Sequence, residues 1–344
     1  MRWKKTITMV EAHAEGEVGR VVTSPTFEIP GTNMLEKMNY LNETDDSLRR
    51  FCVFEPRGCA QMSTNLLFPP SSSEADAAFI ILQGDKAHAM SGSNAICVTT
   101  VLLETGILEM KEPETIVRLE TPAGIISARA TCKNGKCERV SLDMLPGFVE
   151  ELDMKIDVPG LGEITVDIAF GGIYYALIDP RQLGLKIVPD QARALVDAGT
   201  RIHRALNKTL KIQHPETPSI NSLAYTMFVD ETGDGQLIGA TILPPGRVDR
   251  SPCGTGSTAR FAARFARGLT RIGDKTTIGS IIGSTFDIAL GRETKVGDKT
   301  AILARVSGRG WIHGTHQIGV DPTDPFQEGY YLSDTWGDAF DLLN

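Results

Sequence analysis

An α+β protein of two related lobes is the fold class this sequence predicts, and three observations carry the prediction. Residues 91–106 and 253–268 repeat the same punctuation. Each stretch opens on a small nucleophilic residue followed by glycine, runs about three turns at helical spacing and stops at a glycine. At the same offset behind each, Thr121-Pro122-Ala123-Gly124 and Gly283-Ser284-Thr285-Phe286 open β-like runs, over 125–130 and 287–290. Finally, strand-like and helical patterns are mixed along the whole chain, which suits two similar lobes with a cleft between them.

Taken in chain order, strands are predicted over 78–82, 115–119, 125–130, 164–168, Tyr174–Ile178, 223–229, 242–243, 287–290 and 301–306, and a third helix over 189–206. Cys132 and Cys137 flank Lys133-Asn134-Gly135-Lys136, which reads as a hairpin turn. The boundary is expected at Asp143-Met144-Leu145-Pro146-Gly147, giving lobes 1–146 and 147–309.

A chain of 344 residues with 41% hydrophobic content can bury a substantial core and favours two domains over one. Its net charge of −8 and pI near 5.4 argue against nucleic acid or an anionic membrane as partner. The longest apolar stretches are strand-sized, far below the roughly 20 residues of a spanning helix. The basic start Met1-Arg2-Trp3-Lys4-Lys5 leads into Glu11, His13, Glu15 and Glu17 rather than an apolar segment, so a cytoplasmic location is expected. Six cysteines are too thinly spread for a disulfide framework, and Cys132 and Cys137 have no second ligand pair nearby, so no metal is expected.

The chemistry is expected at the two repeat helices. A helix start offers unpaired backbone N–H groups and about half a positive charge. Gly92-Ser93 and Gly254-Thr255 can therefore grip a carboxylate, with glycine allowing close approach. The same field should draw the Cys253 thiol below its reference pKa of about 8.5. With the two starts face to face, Ser91 and Cys253 would flank the carbon bearing that carboxylate, an arrangement suited to removing an α-proton. Blander readings stand beside these. Ser91 is a good ordinary N-cap, Cys253 could be a small residue preceding a helix, and His13, His214, His313 and His316 are scattered. The glycine-rich loops carry neither Walker spacing nor a dinucleotide fingerprint.

At these residues the chain resembles the proline racemase superfamily, whose fold is that of diaminopimelate epimerase. Asp249-Arg250-Ser251-Pro252-Cys253-Gly254-Thr255-Gly256 looks like the family's second catalytic motif in full. Supporting stretches are Glu55-Pro56-Arg57-Gly58, Thr121-Pro122-Ala123-Gly124, Ala169-Phe170-Gly171-Gly172, Gln213-His214-Pro215-Glu216 and Ile281-Ile282-Gly283-Ser284. The resemblance implies two pseudo-symmetric lobes, each a sheet wrapped around a central helix, with the tail 310–344 returning to the first lobe. It also implies Cys253 as one of two acid–base residues, Asp249 as the carboxylate holding the substrate's ring nitrogen, and His214 near that nitrogen. Backbone groups of Gly92, Ser93, Gly254 and Thr255 would cradle the substrate carboxylate. No cofactor is implied, and a homodimer is.

One position departs from the family pattern. The first motif, usually Met-Cys-Gly-His, is here Met90-Ser91-Gly92-Ser93. A serine hydroxyl is a poor base near neutrality without an activating neighbour, and the sequence shows none beside it. A dehydration needs only one strong base, and superfamily members with one thiol replaced include trans-3-hydroxy-L-proline dehydratases, so the resemblance implies a lyase that converts trans-3-hydroxy-L-proline to Δ1-pyrroline-2-carboxylate. The alternative is a 3- or 4-hydroxyproline 2-epimerase, either alone or combined with the dehydratase.

Overall fold

In the computed structural model the described residues are 3–218, 220–233 and 235–336. The chain divides into two compact units, Met1–Leu142 with Gly308–Asn344, and Asp143–Ser307. The last part of the predicted tail, 337–344, lies outside the described residues.

In the first unit, Lys4–Ala14 and Glu17–Ser24 form a hairpin whose turn falls on Glu15 and Gly16, with φ of 47° and 96°. Two consecutive positive φ values give a tight turn whose twist matches the flanking strands. Gly310–Val320 pairs antiparallel with Lys4–Ala14. Glu17–Ser24 runs parallel to Ser63–Phe68, and the crossover between them holds helices α1 (Met34–Glu43) and α2 (Ser47–Val53). The ladder continues antiparallel to Ala77–Leu82, then parallel to Glu114–Thr121 through helix α3 (Gly92–Glu104). It ends antiparallel through Gly124–Lys133 and Lys136–Asp143.

The second unit repeats this order of strand senses. Gly147–Val158, Gly162–Phe170 and Tyr174–Ile178 are antiparallel neighbours. Tyr174–Ile178 runs parallel to Leu223–Glu231 through helix α4 (Ala192–Thr209). Leu237–Leu243 follows antiparallel, and Lys275–Ser280 lies parallel to it through helix α5 (Gly254–Ala266). Thr285–Val296 and Lys299–Gly308 complete the ladder, and Ala301 and Ile302 pair back to Phe148 and Gly147. The predicted α+β class therefore holds, and the repeat first seen at two helices extends through every strand of the two ladders.

Helices α3 and α5 are the axes of their units. All residues of α3 from Gly92 to Leu103, and of α5 from Gly254 to Ala263, are buried. A helix enclosed on all sides must satisfy its polar groups internally. Thr99 Oγ1 donates to the Ala95 carbonyl (2.8 Å) and Thr258 Oγ1 to that of Gly254 (3.0 Å). Enclosure also needs close strand contact. A Cβ at Gly19 would meet Cys97 Sγ at 2.9 Å, and one at Gly171 would collide with the Thr255 carbonyl and the Ala259 amide. Helix α4 is different: Leu195, Val196, Ile202 and Leu206 are buried while Arg193 and Arg201 face solvent, the pattern of a helix laid on one sheet face.

All six cysteines are free. Cys132 and Cys137 face each other in register beside the predicted hairpin turn, where Asn134 and Gly135 have φ of 53° and 73°. Among the described residues no group of three or more His, Cys, Asp or Glu side chains could hold a metal ion, and no helix is long and apolar enough to cross a membrane.

Candidate active site

Both buried helices begin on the side chains that the repeat singled out. In each unit a two-residue strand, Ala87–His88 or Arg247–Val248, pairs with the preceding long strand, and the chain then turns into the helix start. The first intrahelical backbone bond is Ala95 N to Ser91 O (3.0 Å) in one unit and Ser257 N to Cys253 O (3.0 Å) in the other. The N–H groups of Gly92, Ser93, Gly254 and Thr255 thus lie ahead of the hydrogen-bonded ladder, where an anion can take them.

Ser91 is extended (φ −152°, ψ 132°), the usual N-cap conformation. Its Oγ accepts from Asn94 Nδ2 at 3.0 Å and from the Asn94 backbone N–H at 3.5 Å, and lies 3.1 Å from Ser93 Oγ. The Asn94 amide has only one useful orientation: its Oδ1 accepts from Asn65 Nδ2 (3.0 Å), which also donates to the Arg20 carbonyl (3.1 Å). Nδ2 is left to point at Ser91.

Cys253 differs in backbone and setting. Its φ of 63° with ψ of 111° lies where non-glycine residues are rarely found, and its Sγ accepts from the Gly256 backbone N–H at 3.4 Å. The loop before it is fastened by Asp249, whose Oδ1 accepts from Ser251 N (2.8 Å) and Ser251 Oγ (2.9 Å); Ser251 Oγ in turn accepts from Cys253 N (3.2 Å). The sulfur sits in a cluster with Tyr175, Tyr225, Met227, Leu243 and Ala259.

The thiol is consequently not a low-pKa one. Burial, together with the nearby Asp249 carboxylate, pushes Cys253 up to about 11, against the opposing pull of the Thr241 hydroxyl, the Tyr175 phenol and the Gly256 N–H. The expected depression by the helix start is corrected: one backbone N–H does not offset loss of water in an apolar cluster.

His214 Nδ1 accepts from the backbone N–H groups of Glu216 (3.2 Å) and Thr217 (3.1 Å), and its ring packs 4.7 Å from Phe170 and 5.5 Å from Phe148. Burial holds its pKa below the ordinary value. The imidazole is therefore a neutral ring with its proton on Nε2.

Ser91, Gly92 and Ser93 thus come together in the first unit, and Asp249, Cys253, Gly254 and Thr255 in the second. His214 belongs to the second unit's aromatic core, next to Phe170. Two residues at these helix starts were missed from sequence. Asn94 carried a readable sign, an amide three residues after an N-cap serine. Tyr175 carried none, since all five residues of its strand are buried and no alternation marks it.

Two topologically equivalent halves, each enclosing a helix that opens on a proton-carrying side chain, define the fold class of diaminopimelate epimerase-like proteins. A solved phenazine biosynthesis protein of the PhzF family from Bacillus anthracis shares this fold at 13% identity, with a TM-score of 0.58 over 92% of this chain and 100% of that one. Within the class the match is much closer. Residues 9–331 fit the family profile described as proline racemase. The 4-hydroxyproline 2-epimerase of Agrobacterium fabrum is 49% identical over 340 residues, 98% of each chain. The crystal structure of a hydroxyproline epimerase from Agrobacterium vitis, with trans-4-hydroxy-L-proline bound, is 48% identical, covers 98% of both chains and has a TM-score of 0.94. The chain belongs to the proline racemase family.

These relatives correct the expected dehydratase and its lyase class: those matched over nearly their full length are named epimerases, and one is solved with a 4-hydroxyproline bound. Ser91 is also not isolated: two Asn94 donors reach its oxygen, and the Ser93 hydroxyl lies within hydrogen-bond distance of it.

Proposed function

We propose that this protein inverts C2 of 4-hydroxyproline, interconverting trans-4-hydroxy-L-proline and cis-4-hydroxy-D-proline. The observation that carries the reading is the matched pair of helix starts. Each presents one acid–base side chain, Ser91 or Cys253, beside backbone N–H groups free to take a carboxylate. Inversion at an α-carbon requires a base on one face and an acid on the other, and each residue serves in both roles as the direction of reaction changes.

A substrate carboxylate can be taken by the N–H groups of Gly92 and Ser93 in the first unit and by those of Gly254 and Thr255 in the second, so that charge developing on it in the deprotonated state meets fixed donors rather than mobile water. Asp249 is the partner for the ring ammonium. His214 is a poor match for a nitrogen that only donates, because its Nδ1 is already taken and its Nε2 carries a proton; it fits better as a donor to an oxygen of the substrate. Cys253 rests as a thiol and acts first as the acid. Ser91 relies on Asn94 and Ser93 to bear the alkoxide character a base needs. Homodimeric assembly, implied by the family resemblance, and a cytoplasmic location, expected from the sequence, belong to the same proposal; sedimentation velocity reads the first.

The test is incubation with trans-4-hydroxy-L-proline in deuterium oxide. Accumulation of cis-4-hydroxy-D-proline bearing one deuterium at C2 is expected. Recovery of unlabelled, uninverted substrate would overturn the reading.

A further inference from the structure

Tyr175 lies wholly inside the second unit, on Tyr174–Ile178. Its phenol oxygen is 2.7 Å from Thr255 Oγ1 and 3.4 Å from Cys253 Sγ, and those two atoms are 3.9 Å from each other. The three groups form a closed triangle in which the phenol alone reaches both others at close range. A Cβ at Gly256 would stand 3.1 Å from Cys253 Sγ and 3.2 Å from Tyr175 Cε1, so the missing side chain is what lets ring and sulfur come together. Tyr225 packs edge-on against the ring at 5.9 Å. Among the described residues, the titratable groups at Cys253 are Asp249 on its own loop and Tyr175 across from it, with Tyr225 behind. Burial and the adjacent sulfur push Tyr175 well above the ordinary tyrosine value, so it remains a neutral phenol while Cys253 changes charge.

One phenolic proton faces two acceptors. Either oxygen of the Tyr175–Thr255 pair can donate; with the phenol as donor while Cys253 is a thiol, the Thr255 proton is left for a carboxylate at the helix start. Once the sulfur has given its proton to the α-carbon, a buried thiolate stands where a donor is worth far more than in water.

We propose that Tyr175 is a positioning residue for proton transfer at Cys253, its O–H turning from Thr255 to the sulfur whenever the thiolate forms. This rests on the reading of Cys253 as an acid–base residue. No proton leaves Tyr175 at any point. The proton that moves runs between sulfur and α-carbon, and the phenol O–H only rotates about its C–O bond. The phenol thereby links the charge on Cys253 to the hydroxyl that greets the substrate carboxylate.

Tyr175→Phe removes one oxygen and keeps the ring. In the full-length protein, alkylation of Cys253 by iodoacetamide is followed in brief pulses from pH 8 to 12.5, a range that brackets the wild-type midpoint and one a unit higher, by peptide mass spectrometry, which separates it from the other five cysteines. The alkylation midpoint is expected to rise by about one pH unit. The kcat for inversion is expected to fall about 10- to 100-fold, with KM little changed, and the falling, alkaline limb of the pH profile to move with the alkylation midpoint. A folded Tyr175→Phe protein with midpoint and limb in their original places would overturn the proposal. Should that variant not fold, Thr255→Val leaves the phenol only the sulfur to donate to and should lower the midpoint; an unchanged or raised midpoint would overturn it equally. Absence of inversion by the wild-type chain would defeat the proposed function while leaving the alkylation comparison readable.

Discussion

The side-chain amide of Asn94 donates to the hydroxyl of Ser91 across 3.0 Å, and Asn65 holds that amide in the one orientation that allows it. The residue that caps α3 is thus an acceptor before substrate arrives. A hydroxyl with donors aimed at its oxygen gives up its proton more readily than an isolated one, and in the proposed reaction this fits a serine to a task for which the family pattern has cysteine.

Asn94→Ala is expected to lower kcat for inversion by about 10- to 100-fold, the usual worth of a hydrogen bond to a charged group. Asn94→Asp should be worse, since it sets a second negative charge against the forming alkoxide. Steady-state kinetics on the three proteins checks the ranking. A faster Asn94→Asp enzyme would mean that Ser91 gains from a base rather than from donors.

Ser91→Ala separates the two faces of the reaction. Inversion should fall by about 100- to 10,000-fold, the range for loss of one acid–base group. Exchange of the α-hydrogen with retention should persist in the one epimer whose hydrogen faces Cys253. Proton NMR in deuterium oxide, run separately on each epimer, reads both. Cys253→Ala should leave the complementary epimer exchanging.

The buried thiols make the fold sensitive to alkali. Cys52 and Cys137 are pushed up to about 12 and Cys253 to about 11, chiefly by burial, whereas an unfolded chain titrates near 8.5. Below that value the thiols are neutral in both states and their contribution is fully present. Above it the unfolded chain sheds protons the folded chain keeps, so stability falls as pH rises through 9 toward 11 and 12. The Tm should decline over that window, and less steeply in Cys137→Ala than in the wild type once the two are matched at pH 8. A Tm level from pH 8 to 11 would count against the buried, neutral thiols.

Gly171→Ala should destabilise the protein by about 1–3 kcal/mol, because the new methyl group meets backbone of α5 that has nowhere to go. Gly233→Ala is the control: its Cβ meets nothing within 4 Å, and a change below about 0.5 kcal/mol is expected. Urea unfolding curves measure both.

The sequence carried the frame of the fold well where glycine and serine or cysteine mark helix ends. Helices α3 and α5 begin one residue after Ser91 and Cys253. Strands such as Tyr174–Ile178 and Ala77–Leu82 were legible as short apolar runs. Residues 189–206 proved to be a 3₁₀ turn, Pro189–Gln191, followed by α4. The N-terminal hairpin and Gly147–Val158 were not marked, since their buried and exposed faces mix charge with aliphatic residues; beside their local partners they also pair with Gly310–Val320 and Lys299–Gly308, strands distant in sequence. At the site the residue types were readable and their electrostatics were not. The acidity of Cys253 depends on Asp249 and on burial by Tyr225 and Met227, and that of Ser91 on an amide held by Asn65 from another strand. Such terms exist only after the chain has folded.

The positive φ at Cys253 sets function against robustness. Every side chain except glycine's is strained there, so selection for thermal endurance alone would replace the cysteine by glycine. Cys253→Gly should melt higher than Cys253→Ala, by the equivalent of about 1 kcal/mol, while both are inactive. A descendant of this chain released from its chemical task is therefore expected to drift toward a sturdier, silent protein through a single codon.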